Sequence, residues 1–166
     1  MADALGDEAL GDDGQWLTEG EQQAWSALAS VLVRLDAALD AQLRRDAGMS
    51  HFDYEVLARL SEAPRRTMRM SELAARAEGS LPRLSQVIAR LESAGWVLRT
   101  PDPANGRYTL AVLTDEGHAK LAATAPGHVR AVRALVFDPL TKVQVKQLAA
   151  IGQRIAGSLD ATSATL

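Results

Sequence analysis

The stretch from Arg69 to Leu113 constrains the fold more than any other part of this sequence. It begins with a short helical pattern over residues 70–77, which Ser71 is placed to cap. A second amphipathic pattern covers residues 81–94, and the hydroxyl of Ser80 is placed to cap that helix. Two short helices at this spacing predict a helix-turn-helix motif.

A β-hairpin is predicted directly after the second helix. Gly95 is well placed to end the helix, because glycine readily adopts the left-handed conformation that helix ends use. Two β-like runs, 96–99 and 108–113, then flank a turn-rich tip at 102–107. A helix-turn-helix followed by a hairpin is a winged helix-turn-helix, whose usual task is reading double-stranded DNA.

The charge distribution agrees with a nucleic-acid partner, although the chain as a whole carries a net charge of −3. Residues 64–110 contain eight arginines and four acids, a local balance of +4, whereas the first 21 residues contain seven acids and no base. Screening hides charge beyond about 8–10 Å, so a local positive surface is sufficient for phosphate. The alternative is that these arginines are ordinary solvated surface residues.

The N-terminal half outside the motif is predicted to be helical. Residues 1–14 are acidic and lack periodicity, which predicts a disordered tail. Thr18 and Glu21 form a capping-box pattern at the start of a long helix that ends near residue 48. A second helix covers about 50–62, capped by Ser50 and Asp53. The apolar stripe of the first helix consists of Trp25, Leu28, Leu32, Leu35, Leu39 and Leu43.

Two further helices are predicted after the hairpin. Thr114 caps the first, which Pro126-Gly127 is expected to kink or interrupt, and Thr141 caps the last. The fold class is therefore mostly α, with a winged helix-turn-helix core and long terminal helices. Those helices carry more apolar surface than one small domain can cover, which favours a homodimer over an intrachain bundle. The predicted divisions are an acidic tail (1–14), an N-terminal dimerisation helix (15–48), a DNA-binding domain (49–113) and C-terminal dimerisation helices (114–166).

Several classes of function lack their sequence signatures. The chain has no cysteine, which excludes disulfides, zinc–cysteine sites and a thiol switch. Its histidines, His51, His118 and His128, do not have metal-ligand spacing, and no nucleophile elbow, phosphate loop or dinucleotide fingerprint is present. We therefore expect no catalytic residues, no metal and no cofactor. No apolar run is long enough to span a membrane, so a cytoplasmic protein is expected.

Several motifs at fixed spacing resemble those of MarR-family transcriptional regulators, and the resemblance extends from Trp16 to Leu159. They are Trp-Leu-Thr at 16–18, Tyr-Glu-Val-Leu at 54–57, Leu-Ser-Glu-Ala-Pro at 60–64 and Arg-Met-Ser-Glu-Leu-Ala at 69–74. The most specific succession is Arg-Leu-Glu-Ser-Ala-Gly-Trp-Val-Leu-Arg at 90–99, followed by Leu-Thr-Asp-Glu-Gly at 113–117.

The resemblance implies a triangular homodimer whose terminal helices interlock. Its recognition helix would enter the major groove of DNA and its wing the flanking minor groove, as a sequence-specific regulator, expected to be a repressor, of a pseudo-palindromic operator. The residues that this implies for DNA contacts are Ser80, Arg83, Ser85, Gln86, Arg90, Arg99, Asn105 and Arg107. Arginine suits this role because it reads guanine edges or inserts into narrow minor grooves.

The chain departs from the family pattern at the wing and at the recognition helix. Family wings commonly carry Asp-x-Arg, whereas this chain has Asn105-Gly106-Arg107, with Asp102 as a possible substitute for the acid. Pro82 stands in the first turn of the recognition helix, where serine is frequent. An alternative function is therefore a winged-helix dimer that binds proteins or ligands without reading DNA specifically.

The resemblance also implies a small phenolic or carboxylate effector, bound in a cleft between the dimer helices and the winged domain. Candidate lining residues are Asp36, His51, Tyr54 and Met70. The alternative for Tyr54 and Met70 is an ordinary core position, and for His51 a surface or interface position.

Overall fold

The computed structural model describes residues 16–77 and 79–163, so the predicted acidic tail at 1–14 lies outside the described residues. The helices are α1 (Glu19–Ala47), α2 (His51–Glu62), α3 (Met70–Arg76), α4 (Leu81–Ser93), α5 (Asp115–Val132) and α6 (Lys142–Ser163). The strands are β1 (Thr67–Arg69), β2 (Val97–Asp102) and β3 (Asn105–Leu113). The mostly α fold class with a winged helix-turn-helix is confirmed.

The chain forms two compact units, and the boundary between them falls within α1, after Ala37. In the first unit, Thr18 and Glu21 form the predicted capping box. The Thr18 backbone N–H donates to the Glu21 carboxylate at 2.9 Å, and the Thr18 hydroxyl accepts from the Glu21 N–H at 3.4 Å. Side chains of this segment are largely exposed, including the apolar Trp25 and Leu32.

The second unit is built around one hydrophobic core in the winged domain. Its centre consists of side chains with essentially no exposed surface, which come from every helix between α1 and α4 and from the sheet. They are Leu43, Val56, Leu57, Leu60, Leu73, Leu84, Ile88 and Val97. Burying each of them contributes about 1.5–3 kcal/mol, so the helix-turn-helix is held rigidly against α2.

Local caps fix where most of these helices begin. Ser50 and Asp53 form the predicted capping box of α2, and Ser80 and Thr114 cap α4 and α5 with their hydroxyls. The predicted cap of α3 is wrong. That helix begins at Met70, after Arg69 at its cap position, so Ser71 lies inside the helix and no side chain caps the end.

The sheet contains a strand that sequence analysis did not predict. Its order is β1-β3-β2, all antiparallel, and β1 joins through Met68, which stands opposite Ala111. The hairpin strands are also longer than predicted, since β2 continues to Asp102 and β3 begins at Asn105. The turn between them therefore consists of only Pro103 and Ala104.

The C-terminal helices differ from the prediction in one respect. The helix α5 is not interrupted at Pro126, which lies inside it, and the irregularity comes later as a π-helical turn over Arg133–Phe137. The predicted turn after residue 137 and the cap of α6 by Thr141 are both present, the latter with Gln144 as the reciprocal partner.

At the start of α5, a Cβ on Gly117 would collide with the carbonyl oxygen of Trp96, so this close approach requires glycine.

Candidate nucleic-acid interface

The helix α4 presents a polar face opposite its apolar one. Leu84, Val87, Ile88 and Leu91 are buried in the core. The other side carries exposed Arg83, Gln86 and Arg90, with the exposed cap Ser80 at its start, while Ser85 is half-buried. A helix that exposes arginine, amide and hydroxyl groups along one face offers the donors and acceptors needed to read base edges and phosphates.

The guanidinium of Arg83 is placed by an aromatic ring from another helix. Its central carbon lies 4.2 Å from the ring centroid of Phe52 on α2. The ring in turn occupies the space beside Gly79, where an added Cβ would lie 2.7 Å from the Phe52 Cζ. Glycine in the turn thus lets Phe52 approach, and Phe52 supports Arg83 through a cation–π contact.

Arg90 is engaged by an acid inside the protein. Its Nη2 donates to the Asp53 Oδ1 at 2.7 Å, and Asp53 is almost completely buried. The second oxygen of Asp53 accepts the Ser50 backbone N–H at 2.9 Å as part of the α2 capping box. More than half of the Arg90 side chain stays exposed, so it combines a structural ion pair with a solvent-facing surface.

Arg99 on β2 is similarly paired, with Glu92 near the end of α4. Its Nε and Nη2 donate to the Glu92 Oε2 at 2.8 and 2.6 Å, and its backbone N–H donates to the Glu92 Oε1 at 3.2 Å. The side-chain bond from Arg99 lowers the pKa of Glu92 below its usual value, with a further contribution from the backbone bond. The pair ties the recognition helix to the wing.

The wing tip presents Arg107 to solvent. The backbone N–H of Arg107 donates to the Asn105 Oδ1 at 3.2 Å, so Asn105 shapes the tip. The Arg107 side chain makes no ion pair with any residue of 16–77 or 79–163. The suggested substitute acid, Asp102, instead binds Arg69, at 2.9 Å from Nε and 2.8 Å from Nη2.

A groove of about 300 Å³ lies between the wing and the helix-turn-helix. It is lined by residues of α3, α4, β1 and the hairpin, among which three arginines stand out and no acid occurs. They are Arg69, Met70, Ser71, Leu81, Ser85, Arg99, Arg107, Tyr108 and Thr109. Arg69 and Tyr108 were not among the predicted DNA contacts, and the cluster of arginines around the motif was the only signal pointing to Arg69.

The predicted effector residues are distributed over different places. His51 and Tyr54 on α2 meet His128 of α5, with ring centroids 5.6 and 4.4 Å from that of His128. Met70 lines the groove beside the wing, and Asp36 belongs to the first unit.

His128 itself was not singled out as an effector residue. It is buried, and its Nδ1 has no hydrogen-bond partner within the described part of the chain. Burial lowers the pKa of His128, assisted by His51 and opposed by Glu55. Burial also raises the pKa of the Tyr54 hydroxyl.

Residues 16–77 and 79–163 contain no group of three or more His, Asp or Glu side chains arranged to hold a metal ion. No helix in the same ranges is both long and apolar enough to cross a membrane.

Comparison with known proteins identifies the family. A family model described as MarR family matches residues 49–109. Sco3205, a MarR-family transcriptional regulator from Streptomyces coelicolor solved in complex with DNA, is 48% identical, with a TM-score of 0.84 over 90% of this chain and 93% of its own. AbsC, another such regulator from the same organism, is 36% identical, with a TM-score of 0.82 over 89% of this chain and 99% of its own.

A more distant structure shows the same fold. BpsR from Bordetella bronchiseptica, described with regulation of its DNA binding by 6-hydroxynicotinic acid, is 18% identical, with a TM-score of 0.71 over 81% of this chain and 98% of its own. A comparison with curated proteins gave no match. On the strength of the whole-length similarity to Sco3205 and AbsC, the chain belongs to the MarR family of DNA-binding transcriptional regulators.

Proposed function

We propose that this protein is a homodimeric repressor that reads a pseudo-palindromic operator and releases it when a small phenolic or carboxylate ligand binds. The observation that carries the DNA-binding part is the exposed face of α4, where Arg83 and Gln86 stand beside a wing that carries Arg107. In this proposal α4 enters the major groove and Arg107 reaches the adjacent minor groove, where a narrow A·T-rich segment attracts arginine.

The residues of the interface take different roles in this proposal. Arg83 and Gln86 read base edges, because their side chains are exposed on the recognition helix. Ser80 and Ser85 contact phosphates or bases near the start of that helix. Arg90, Arg99 and Asn105 act mainly by shaping the surface, since each already binds a group within the protein.

Unburied apolar surface on the terminal helices supports the homodimer. The helix α6 exposes Val143, Ile151 and Leu159, each more than half accessible, and the first unit exposes Trp25 and Leu32 to a similar degree. Exposed apolar patches of this kind mark association surfaces. A two-fold dimer would present two recognition helices about one DNA turn apart, which matches a palindromic site. In this proposal residues 15–48 and 114–166 dimerise and 49–113 bind DNA.

The aromatic cluster of His51, Tyr54 and His128 supports a ligand that combines a ring with an acid group. The rings supply stacking surface, and the unpartnered Nδ1 of His128 supplies a hydrogen-bonding atom. The similar fold of BpsR, which is described with 6-hydroxynicotinic acid, agrees with this ligand class. Asp36, which belongs to the first unit, stays a prediction from the family resemblance alone, whereas Met70 is proposed only as a residue of the groove beside the wing.

Fluorescence anisotropy tests the operator proposal. Labelled duplexes from upstream of the gene that encodes the protein are titrated with competitor DNA present, at two salt concentrations. Specific binding should survive the competitor and weaken steeply with salt. Arg83→Ala should cost about 1–3 kcal/mol and relax sequence preference, while Arg107→Ala should weaken binding with the dimer intact. If neither upstream DNA nor a random-sequence selection yields a specific site, the operator proposal is wrong and a binding module remains.

The dimer and the ligand need separate measurements. Sedimentation of the wild type should give a mass near twice 17.8 kDa. Ile151→Asp, which places a charge on the exposed apolar side of α6, should shift the species towards the monomer. A titration of the operator complex with hydroxybenzoates should release DNA, and Tyr54→Ala should reduce the release. Release that is unchanged in Tyr54→Ala would contradict the proposed ligand site.

A further inference from the structure

Arg69 is held on two sides at the boundary between the sheet and the helix-turn-helix. It is the last residue of β1 and directly precedes α3. Its Nε and Nη2 donate to the same Asp102 oxygen at 2.9 and 2.8 Å, and its guanidinium carbon lies 4.5 Å from the ring centroid of Tyr108. Nearly half of the side chain remains exposed. A guanidinium has five N–H groups, so a group of donors remains for an external acceptor.

Asp102 connects this arginine to the wing turn. The oxygen that does not bind Arg69 accepts the backbone N–H of Ala104 at 2.9 Å, inside the two-residue turn. The Ala104 bond lowers the pKa of Asp102 most, and the Arg69 bond lowers it further. The carboxylate is therefore ionised at neutral pH, is almost inaccessible to solvent, and fixes both the turn and the arginine.

The Arg69 side chain lines the groove between the wing and the helix-turn-helix. The same groove is lined by Arg99 and Arg107 and by the hydroxyl-bearing Ser71 and Ser85. In a DNA duplex, one sugar–phosphate backbone separates a major groove from the adjacent minor groove. If α4 lies in the first and the wing in the second, that backbone has to pass over the groove. The groove lining contains three arginines and no acid, and although Asp102 and Glu92 bind two of these arginines from outside it, the exposed guanidinium N–H groups are suited to receive phosphates.

We infer that Arg69 is a DNA phosphate contact, and that Asp102 and Tyr108 are its positioning residues. The inference rests on the proposed mode of DNA binding. It assigns to Arg69 a role independent of sequence, because phosphate contacts fix orientation and carry no base information. The Tyr108 ring packs against the face of the Arg69 guanidinium, and the Asp102 carboxylate fixes the direction in which the guanidinium points. The remaining N–H donors of Arg69 are therefore oriented before DNA binds.

The first test is Arg69→Ala in the full-length protein. Affinity should fall about tenfold, in line with the loss of a hydrogen bond to a charged group. The loss should be the same for an operator duplex and a scrambled duplex of equal length. The slope of log affinity against log salt should become shallower by about 0.9, the value for one phosphate contact. A loss confined to the operator would assign Arg69 to base reading, and an unchanged slope would remove it from the interface. Either result overturns the inference.

Asp102→Asn is the sharper test, because two explanations of the role of Asp102 predict opposite changes in DNA affinity. Removing a negative charge next to DNA strengthens binding if the charge acts only through its field. A loss of affinity is expected if the carboxylate positions Arg69. Asparagine retains an oxygen that can accept the Ala104 N–H, which preserves the wing turn. We expect affinity to fall several-fold, while the variant still folds and unfolds cooperatively. Equal or tighter binding would overturn the positioning role.

The double variant separates positioning from a structural effect on the wing. In the Arg69→Ala background, Asp102→Asn should have no further effect on affinity. If the two losses add, Asp102 acts through the wing turn alone and the inference about it is wrong. Asp115→Asn is the matched control, since this exposed acid also binds an arginine, Arg66 at 2.9 Å, outside the groove. It should leave affinity equal or slightly higher.

The phosphate contact of Arg69 and the proposed operator reading can fail separately. Absence of any specific site for the wild type would reject the proposed operator reading. The phosphate contact is still measurable in that case, because Arg69→Ala is compared on scrambled duplex at low salt, where backbone contacts dominate.

Discussion

The ring of Phe52 lies 4.2 Å beneath the guanidinium of Arg83 and thereby joins α2 to the exposed face of the recognition helix. The neighbouring residues of α2 make further links. Asp53 binds Arg90 of α4, whereas His51 and Tyr54 contact His128 of α5. Four consecutive residues in the first turn of α2 thus contact the recognition helix on one side and α5 on the other. A shift of this turn would therefore move the contact partners of both Arg83 and Arg90.

Phe52→Leu should weaken operator binding about two- to fivefold, because an exposed cation–π contact contributes about 0.5–1 kcal/mol. Leucine preserves an apolar contact with the core but offers no aromatic face to Arg83. Anisotropy titration of the operator measures the change. The control is the same substitution in an Arg83→Ala background, where affinity should no longer respond. An equal loss in both backgrounds would show that Phe52 acts through the fold in general.

Gly79→Ala should lower the free energy of unfolding by about 1 kcal/mol, the lower end of the overpacking range, because the clash is with the end of a half-buried ring that can turn aside. The new methyl would stand 2.7 Å from the Phe52 Cζ, so the ring has to move and Arg83 loses its support. Urea denaturation monitored by circular dichroism gives the stability. Because the collision involves the ring alone, Phe52→Leu should remove most of the penalty when the two changes are combined. Additive losses would place the cause in the backbone of the turn.

The features predicted correctly from sequence are those that depend on neighbours three or four residues apart. Helix caps are the best example, since Ser50 and Asp53 contain within four residues everything that their capping box requires. Ser80 and Thr114 follow the same rule. The cap of α3 was predicted wrongly because β1 runs directly into that helix, so the helix begins one residue before Ser71.

The features that were missed depend on distant partners. The strand β1 has only three residues, too few for an alternating pattern, and it exists because Met68 is paired with Ala111 of β3. The environment of Arg69 follows from that pairing, since its acid partner Asp102 is 33 residues away along the chain. Arg90 lies on the exposed face of α4, but its bond to Asp53 depends on the packing of α2 against α4, which no local pattern records.

Arg90→Ala should affect stability more than DNA affinity. The substitution leaves the buried carboxylate of Asp53 without its ion-pair partner, although the Ser50 N–H still donates to it. Because more than half of Arg90 is exposed, we expect a modest loss of about 1 kcal/mol in the free energy of unfolding. Urea denaturation and operator titration are carried out on the same preparation, beside Arg83→Ala. A larger affinity loss than that of Arg83→Ala, with unchanged stability, would make Arg90 primarily a DNA contact.

Acidification should destabilise the protein through His128. Burial holds the pKa of His128 below its ordinary value of 6.5, with His51 lowering it further and Glu55 acting in the opposite direction. The unfolded chain therefore takes up a proton at this position at a higher pH than the folded chain does. The contribution of neutral His128 to stability is therefore fully present above its unfolded-state pKa of about 6.5. It is lost as the pH falls from there through the lower folded-state pKa. Urea denaturation at pH 7.5, 6.5 and 5.5, at one fixed protein concentration, measures this loss.

The substitution His128→Gln assigns this pH dependence to one side chain. Glutamine does not titrate, so the variant should lose less stability between pH 7.5 and 5.5 than the wild type, whatever its absolute stability. His118→Gln, at a half-buried position near the start of α5, is the matched substitution at a histidine outside this cluster. The titratable groups that face His128 are His51, Tyr54 and Glu55. A slope unchanged in His128→Gln but reduced in His51→Gln would move the effect to that neighbour.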